Sequence, residues 1–380
     1  MRKVLSGDPR QLLRAGLLLL AIPAFLGAGE RDRVARSVMQ SLELLQQTAA
    51  TYTDQRDCFS CHHQALPSMA VALAASRGFD VRVPQVVWQS EFTANFFLQR
   101  REKIEQGNGV PGGPYTAAYA AVQLAADGDR EPEASQLLVA YLRQTRQQDG
   151  HWKIQTHRPP LEDSDFTATA LSLAALRLHS QDDDAEETGQ EVRQAVHWLA
   201  RAPGQTTEDH VYRLLGIYWG TVDTRRGTGI RWPRLFSGRT TPGMELEERK
   251  SFQQTVTLLL RQQHEDGGWS QRENGSSDAY ASGQVVAALL GTGAARPGDE
   301  AIRRGIAYLL GVQKEDGSWH VTSRSKAFQE YFESGFPHQK DQFISVSASS
   351  WATMALVLSR PERLSRSRRN AEKQDGLSPP

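Results

Sequence analysis

Cys58 and Cys61 are the only two cysteines of the chain, and with His62 they form the run Cys58-Phe59-Ser60-Cys61-His62. Two thiols three residues apart, followed directly by an imidazole, match the Cys-x-x-Cys-His pattern of c-type haem attachment. At that spacing the thiols can add to the two haem vinyl groups, and the imidazole is carried to the iron as axial ligand. Haem c is therefore the expected cofactor, with neither magnesium nor zinc. Two other readings stay open: a tight Cys58 to Cys61 disulfide in an oxidising compartment, and a metal site using Cys58, Cys61 and His62 or His63. Against the latter, so short a segment does not easily point four ligands at one ion. The sixth iron ligand is open. His63 cannot easily turn back to the iron held by its neighbour, leaving Met69, which follows in sequence, and His151, His264 and His320 on later loops.

The first residues indicate where such chemistry would take place. Arg2, Lys3, Arg10 and Arg14 precede an uncharged stretch, 15–29, rich in Leu and ending in Gly27, Ala28 and Gly29. That order of charge, apolar run and small residues is a signal-peptide pattern, and Pro23 inside a run shorter than the ~20 residues of a span argues against an anchor. Cleavage after Ala28 or Gly29 removes four basic residues and one acidic, leaving a chain of formal charge −3. The protein is expected to be periplasmic or secreted, with no integral membrane span after cleavage. Forty-four Lys plus Arg balance forty-four Asp plus Glu, which gives no field arguing for nucleic acid as partner.

The elements that must position the motif repeat along the chain. Three segments combine an apolar helical stretch, a Gln and an acidic-Gly-x-Trp loop: Gln148-Asp149-Gly150-His151-Trp152, Gln263-His264-Glu265-Asp266-Gly267-Gly268-Trp269 and Gln313-Lys314-Glu315-Asp316-Gly317-Ser318-Trp319. Each is followed by a second helix rich in Ala and Leu, over 165–178, 278–290 and 345–358. A degenerate copy, 196–199 with 207–219, fills the gap, and two pairs precede them, 34–47 with 67–77 and 86–104 with 115–126. Starts near 31, 84, 131, 186, 244 and 299 give a period of roughly 50, the signature of units that bury their apolar faces only against neighbours. Six pairs can close a ring. The Asp-Gly dipeptides mark turns, and recurrence of the Trp at matched positions favours packing between repeats over ligand stacking. The expected organisation is a signal segment, 1–29, a repeat body, 30–359, and a disordered tail, 360–380.

These Gln-x-x-Asp-Gly-x-Trp loops resemble the repeat motif of squalene-hopene cyclases and of the related prenyltransferase β-subunits, well over 115–358 and loosely over 31–114. The resemblance implies an all-α fold, an (α/α)6 toroid, with inner helices around an apolar central cavity. Tyr119, Phe166, Tyr212, Tyr280 and Trp351 are candidate cavity aromatics, although they would also fill an ordinary core.

The chemistry of the family is only partly represented. A triterpene cyclase protonates an alkene with an Asp of an Asp-x-Asp-Asp cluster, and no such cluster occurs. The nearest is Asp163-Ser164-Asp165-Phe166, where Asp165 matches the acid and Phe166 replaces the last carboxylate. Asp165 is thus a weak catalytic candidate, and it and Asp278 both read as helix N-caps. Asp182-Asp183-Asp184 reads as an acidic approach to a helix start. Protein prenyltransferases use a zinc-ligating cysteine on late repeats, and none follows Cys61.

The resulting expectation is an exported squalene-cyclase-like repeat protein carrying one covalent haem. Its role would be redox work, with a partner protein, or handling of an apolar isoprenoid or lipid. A terpene cyclase-type isomerase and a non-catalytic binding module are the alternatives.

Overall fold

The computed structural model describes residues 28–181, 183–222, 231–238, 243–326 and 330–360. The signal segment up to residue 27, the tail beyond 360 and Asp182 of the acidic run lie outside the described residues. The chain pairs an outer with an inner helix six times. α1 (Ala28–Gln55) precedes α2 (Leu66–Ser76). α3 (Val83–Leu98) and the short α4 (Arg101–Glu105) precede α5 (Pro114–Ala126), and α6 (Pro132–Thr145) precedes α7 (Asp165–His179). The last three pairs are α8 (Ala185–Arg201) with α9 (Thr207–Thr221), α10 (Leu246–Arg261) with α11 (Ala279–Gly291), and α12 (Glu300–Val312) with α13 (Gln342–Leu358). No β-strand occurs among the described residues, and none of their helices is long and apolar enough to cross a membrane.

Burial separates the two kinds of helix. α1 buries Val34, Val38, Leu42, Leu45, Ala49 and Tyr52, a stripe at helical spacing flanked by buried Ser37, Ser41, Gln46 and Thr48, and leaves its opposite face largely exposed. By contrast every residue of α11 is buried. Small side chains permit this: a Cβ on Gly283 would lie 2.7 Å from the Ala352 nitrogen, so α11 and α13 approach backbone to backbone. Each inner helix touches the next, α2 to α5, α7, α9, α11, α13 and back to α2. The fold is an (α/α)6 toroid.

The repeated loops fasten neighbouring pairs together in one way. Trp152, Trp269 and Trp319 are fully buried, and their indole N–H groups donate to the carbonyls of Leu142, Leu259 and Leu309 at 2.7, 2.6 and 2.7 Å. Their backbone N–H groups donate to hydroxyls of the paired inner helix, Thr169, Ser282 and Ser349. The Asp-Gly glycine two residues before each Trp has a positive φ, 95° at Gly150, 88° at Gly267 and 87° at Gly317. These glycines press onto the outer helix of the following pair, where a Cβ would come within 2.7 to 2.8 Å of Gln194, Arg304 and Gln40. Gln40 lies in α1, so the last loop closes the ring onto the first helix. Gln313 Nε2 donating to the Ser37 carbonyl at 3.1 Å and Thr353 Oγ1 to Ser41 Oγ at 2.8 Å secure the same seam.

Two expectations about helix bounds need correction. The helix expected over 86–104 is broken after Leu98, where the Arg100 guanidinium folds back on the Phe96 carbonyl and ring. α1 runs well past both ends of 34–47. The five candidate aromatics take the alternative of an ordinary core and are all buried: Tyr119 and Tyr212 share a hydroxyl hydrogen bond of 2.8 Å, Tyr212 stands edge-on to Trp351, and Phe166 turns outward onto Trp198 and Arg213.

Candidate functional site

The Cys58 to His62 run forms the connection between α1 and α2, where later repeats carry their Trp loops. It enters α2 through a π-helical turn, Cys61–Ala65, a local widening of the helix often found at functional sites. Ser60 caps this turn. Its Oγ accepts from the His63 N–H at 3.2 Å and its own N–H donates to Gln64 Oε1 at 2.8 Å. The result fixes Cys58, Cys61 and His62 along one cleft, enclosing about 1250 Å³ including its open mouth. Phe59 and Phe96 line it on the apolar side; Thr116, Arg158 and Glu162 line it on the polar side.

The two thiols are unbridged. Cys58 Sγ lies 3.3 Å from the Tyr52 hydroxyl, and Cys61 Sγ lies 3.9 Å from Thr116 Oγ1. Burial, with the negative charge of Glu162 adding to it, pushes the Cys61 thiol far up. A thiol so held is a poor nucleophile for disulfide exchange. Among the described residues no group of three or more His, Cys, Asp or Glu is arranged to hold a metal ion.

His62 is oriented by a chain of hydrogen bonds that crosses the seam of the ring. Gln342 Nε2 donates to the Phe332 carbonyl at 2.7 Å, and its Oε1 accepts from the Ser334 N–H at 3.1 Å, so its amide orientation is set. Ser334 Oγ also donates to Gln342 Oε1 and therefore accepts from His63 Nε2 at 2.8 Å. A neutral His63 with its proton on Nε2 must accept at Nδ1, where His62 Nδ1 lies 2.6 Å away. His62 thus carries its proton on Nδ1, where Ser60 Oγ also lies 3.1 Å away, and its Nε2 lone pair is without a partner among the described residues. Burial, and then Arg158, holds the His62 pKa down to about 3. Burial and His62 likewise push His63 well below the usual range. Both rings are neutral at ordinary pH.

A second cleft, about 780 Å³ with its open mouth, shares His62, Arg158 and Glu162 with the first. Leu161, Tyr331, Phe332 and Phe343 give it a largely apolar wall. Both clefts lie where inner helices begin, around the starts of α2, α5 and α13 and the approach to α7. They are therefore at one mouth of the toroid.

The remaining candidates are placed elsewhere. Ser164, not Asp165, caps α7; Asp165 Oδ1 accepts from the Ile154 N–H at 2.6 Å. Asp278 does cap α11. Asp184 precedes α8 and pairs with Arg143 at 2.7 Å. Met69 is buried in α2, His151 stacks on Trp198, His264 Nδ1 is 3.0 Å from Ser277 Oγ, and His320 is 2.9 Å from Asp341. None of these four lines the cleft of the two thiols.

One acid was missed in the sequence. Glu208, at the second residue of α9, is buried and accepts from Thr167 Oγ1 at 2.8 Å and from the Tyr280 hydroxyl at 2.9 Å. It stands two residues after its helix cap, the repeat position that Phe166 and Tyr280 fill. A charge at an aromatic repeat position was the available signal. Desolvation raises its pKa to about 8, against ~4.3 for an unfolded Glu. The folded state holds this proton where the unfolded chain does not. Its stabilising contribution is complete below pH ~4 and is withdrawn as pH rises through 8. Glu208→Gln is therefore expected to gain stability relative to wild type between pH 5 and pH 9, read from urea midpoints. The same difference at both pH values would contradict a protonated Glu208.

Comparison with known proteins agrees with the fold. Residues 236–372 match the model of the squalene-hopene cyclase C-terminal domain. No curated protein sequence matches the chain. Among solved structures, the type II terpene cyclase MstE from Scytonema superposes with TM-score 0.52 at 14% identity, covering 86% of this chain and 98% of that one. An MstE variant in complex with its substrate, geranylgeranyl dihydroxybenzoate, gives TM-score 0.55 at 14% identity over 88% and 99% of the two chains. A candidate member of the GH105 family from Salmonella enterica gives 0.53 at 14% identity over 94% and 98%. Likeness at this level of identity is likeness of fold.

Proposed function

We propose that this chain, a squalene-cyclase-like repeat protein, carries one c-type haem in the cleft of Cys58, Cys61 and His62 and serves a redox role at the mouth of the toroid. The observation that carries the reading is the hydrogen-bond chain behind His62, from which its tautomer follows. The chain from Gln342 through Ser334 and His63 leaves its Nε2 bare beside two unbridged thiols, and a ligating imidazole is ordinarily fixed by a hydrogen bond at its other nitrogen.

The residues present fit the group. Cys58 and Cys61 would hold it through thioethers, His62 would hold its iron, and Phe59 and Phe96 offer an apolar face. Arg158, paired with Glu162, brings a guanidinium to the same cleft, suited to carboxylates of a bound ligand. Bound there, the haem would supply one-electron chemistry. Around it the chain's own part is to exclude water with the aromatic wall and to keep His62 neutral and oriented.

The adjoining apolar cleft supports an isoprenoid or other lipid as ligand, since Tyr331, Phe332 and Phe343 offer aromatic surface next to His62. Export belongs to the same reading, because the basic and apolar order of residues 2–29 is that of a signal. Purified full-length protein, produced with the c-type maturation machinery, is expected to show a haem absorption spectrum that changes on reduction with dithionite. A colourless protein would leave the toroid as a scaffold or binding module.

A further inference from the structure

The motif contributes one imidazole to the cleft, and the fold brings a second to it. His157 lines the same cleft as Cys58, Cys61 and His62, although it comes from the connection between Trp152 and α7, in the third repeat. We infer that His157 is the second axial ligand of the iron held by His62, an assignment that rests on the haem reading above.

Three observations carry it. First, His157 sits on a built segment. Arg158 and Glu162 exchange backbone hydrogen bonds of 2.8 and 3.1 Å, Thr156 Oγ1 donates to Glu162 Oε2 at 2.7 Å, and the Ile154 N–H is held by Asp165. Second, the His157 ring is held at one nitrogen. Its side chain is 83% exposed, with Nδ1 paired to the Asp163 carboxylate and Nε2 without a partner among the described residues. A carboxylate behind an imidazole is the usual support of a metal-bound histidine, and it matches the state of His62, whose Nδ1 is likewise engaged and whose Nε2 is bare. Third, the side chains that the sequence offered for this role, Met69, His151, His264 and His320, do not line the cleft.

The assignment narrows the chemistry. With an imidazole at each axial position the iron has no open coordination site, so the protein passes electrons rather than binding a small exogenous ligand at the metal. An apolar ligand in the neighbouring cleft then lies beside the redox group without touching its iron.

The test uses full-length haem-loaded protein and reads the spin state of the ferric iron by absorption and electron paramagnetic resonance. Wild type is expected to be low-spin. His157→Ala is expected to become high-spin, with unchanged helical circular dichroism, and to return to low-spin on addition of imidazole. His157→Met keeps a ligating atom and is expected to stay low-spin with a raised reduction potential. A low-spin spectrum in His157→Ala without added ligand overturns the assignment while leaving the haem in place, and so does a wild type that is already high-spin. Wild-type protein without haem overturns both this inference and the reading on which it rests.

Discussion

The double variant Cys58→Ala with Cys61→Ala, produced beside the c-type maturation machinery, is expected to retain no haem through a denaturing gel, where wild type gives a peroxidase-stained band. The loss is complete because no other cysteine exists to form a thioether. The variant should still fold. Cys58 is only part-buried, and Cys61 packs against the core with a thiol whose one polar neighbour, Thr116 Oγ1, is a weak contact at 3.9 Å. Replacing such small buried side chains costs about 1 kcal/mol, in the range of single-methylene deletions. Each single variant keeps one thiol and should show a weaker band. A stained band of wild-type strength in the double variant would mean that the haem is not held by these residues.

Trp319→Ala is expected to lower the free energy of unfolding by about 3 to 5 kcal/mol, the cost of emptying a fully buried aromatic site. The effect goes beyond one repeat. Trp319 ties α12 to α13 through its bonds to the Leu309 carbonyl and Ser349 Oγ, and the turn before it presses Gly317 onto Gln40 of α1. Loosening that loop opens the seam at which Ser334 and Gln342 reach His63. Urea unfolding followed by circular dichroism measures the shift. Trp88→Ala is the control, because Trp88 is 40% exposed, and it should cost less than about 1 kcal/mol. Equal midpoints for the two variants would contradict the role given to the loop.

The architecture was legible because it is written in local, repeated signals. An Asp-Gly turn needs a positive φ, and a Trp ten residues after a Leu reaches back to that Leu's carbonyl, so identical spacing yields identical geometry at Trp152, Trp269 and Trp319. The break after Leu98 was not legible. No Gly or Pro marks it, and the fold-back of Arg100 onto Phe96 is a tertiary choice. At the site, the run from Cys58 to His62 announced itself. The residues that orient His62 did not, since Ser334 lies 271 positions from His63 and meets it only when the ring closes. His157 was hidden for the same reason: nothing in its own segment points to a cleft made mostly by the first two repeats. Glu208 is intermediate, being visible only when Phe166, Glu208 and Tyr280 are aligned by their helix caps. The central cavity was an implication of the resemblance, whereas Tyr119 and Tyr212 meet through a hydroxyl hydrogen bond and Tyr280 bonds to Glu208, contacts that a repeat motif does not encode.

The central claim is a covalent bond, and the mass of the intact, denatured, full-length protein tests it most directly. For protein matured outside the cytoplasm with the c-type machinery present, the account predicts a polypeptide heavier by one haem, with the added mass mapping to the peptide that contains Cys58, Cys61 and His62. A mass equal to the bare polypeptide less two hydrogens, with Cys58 and Cys61 joined as a disulfide, would contradict it.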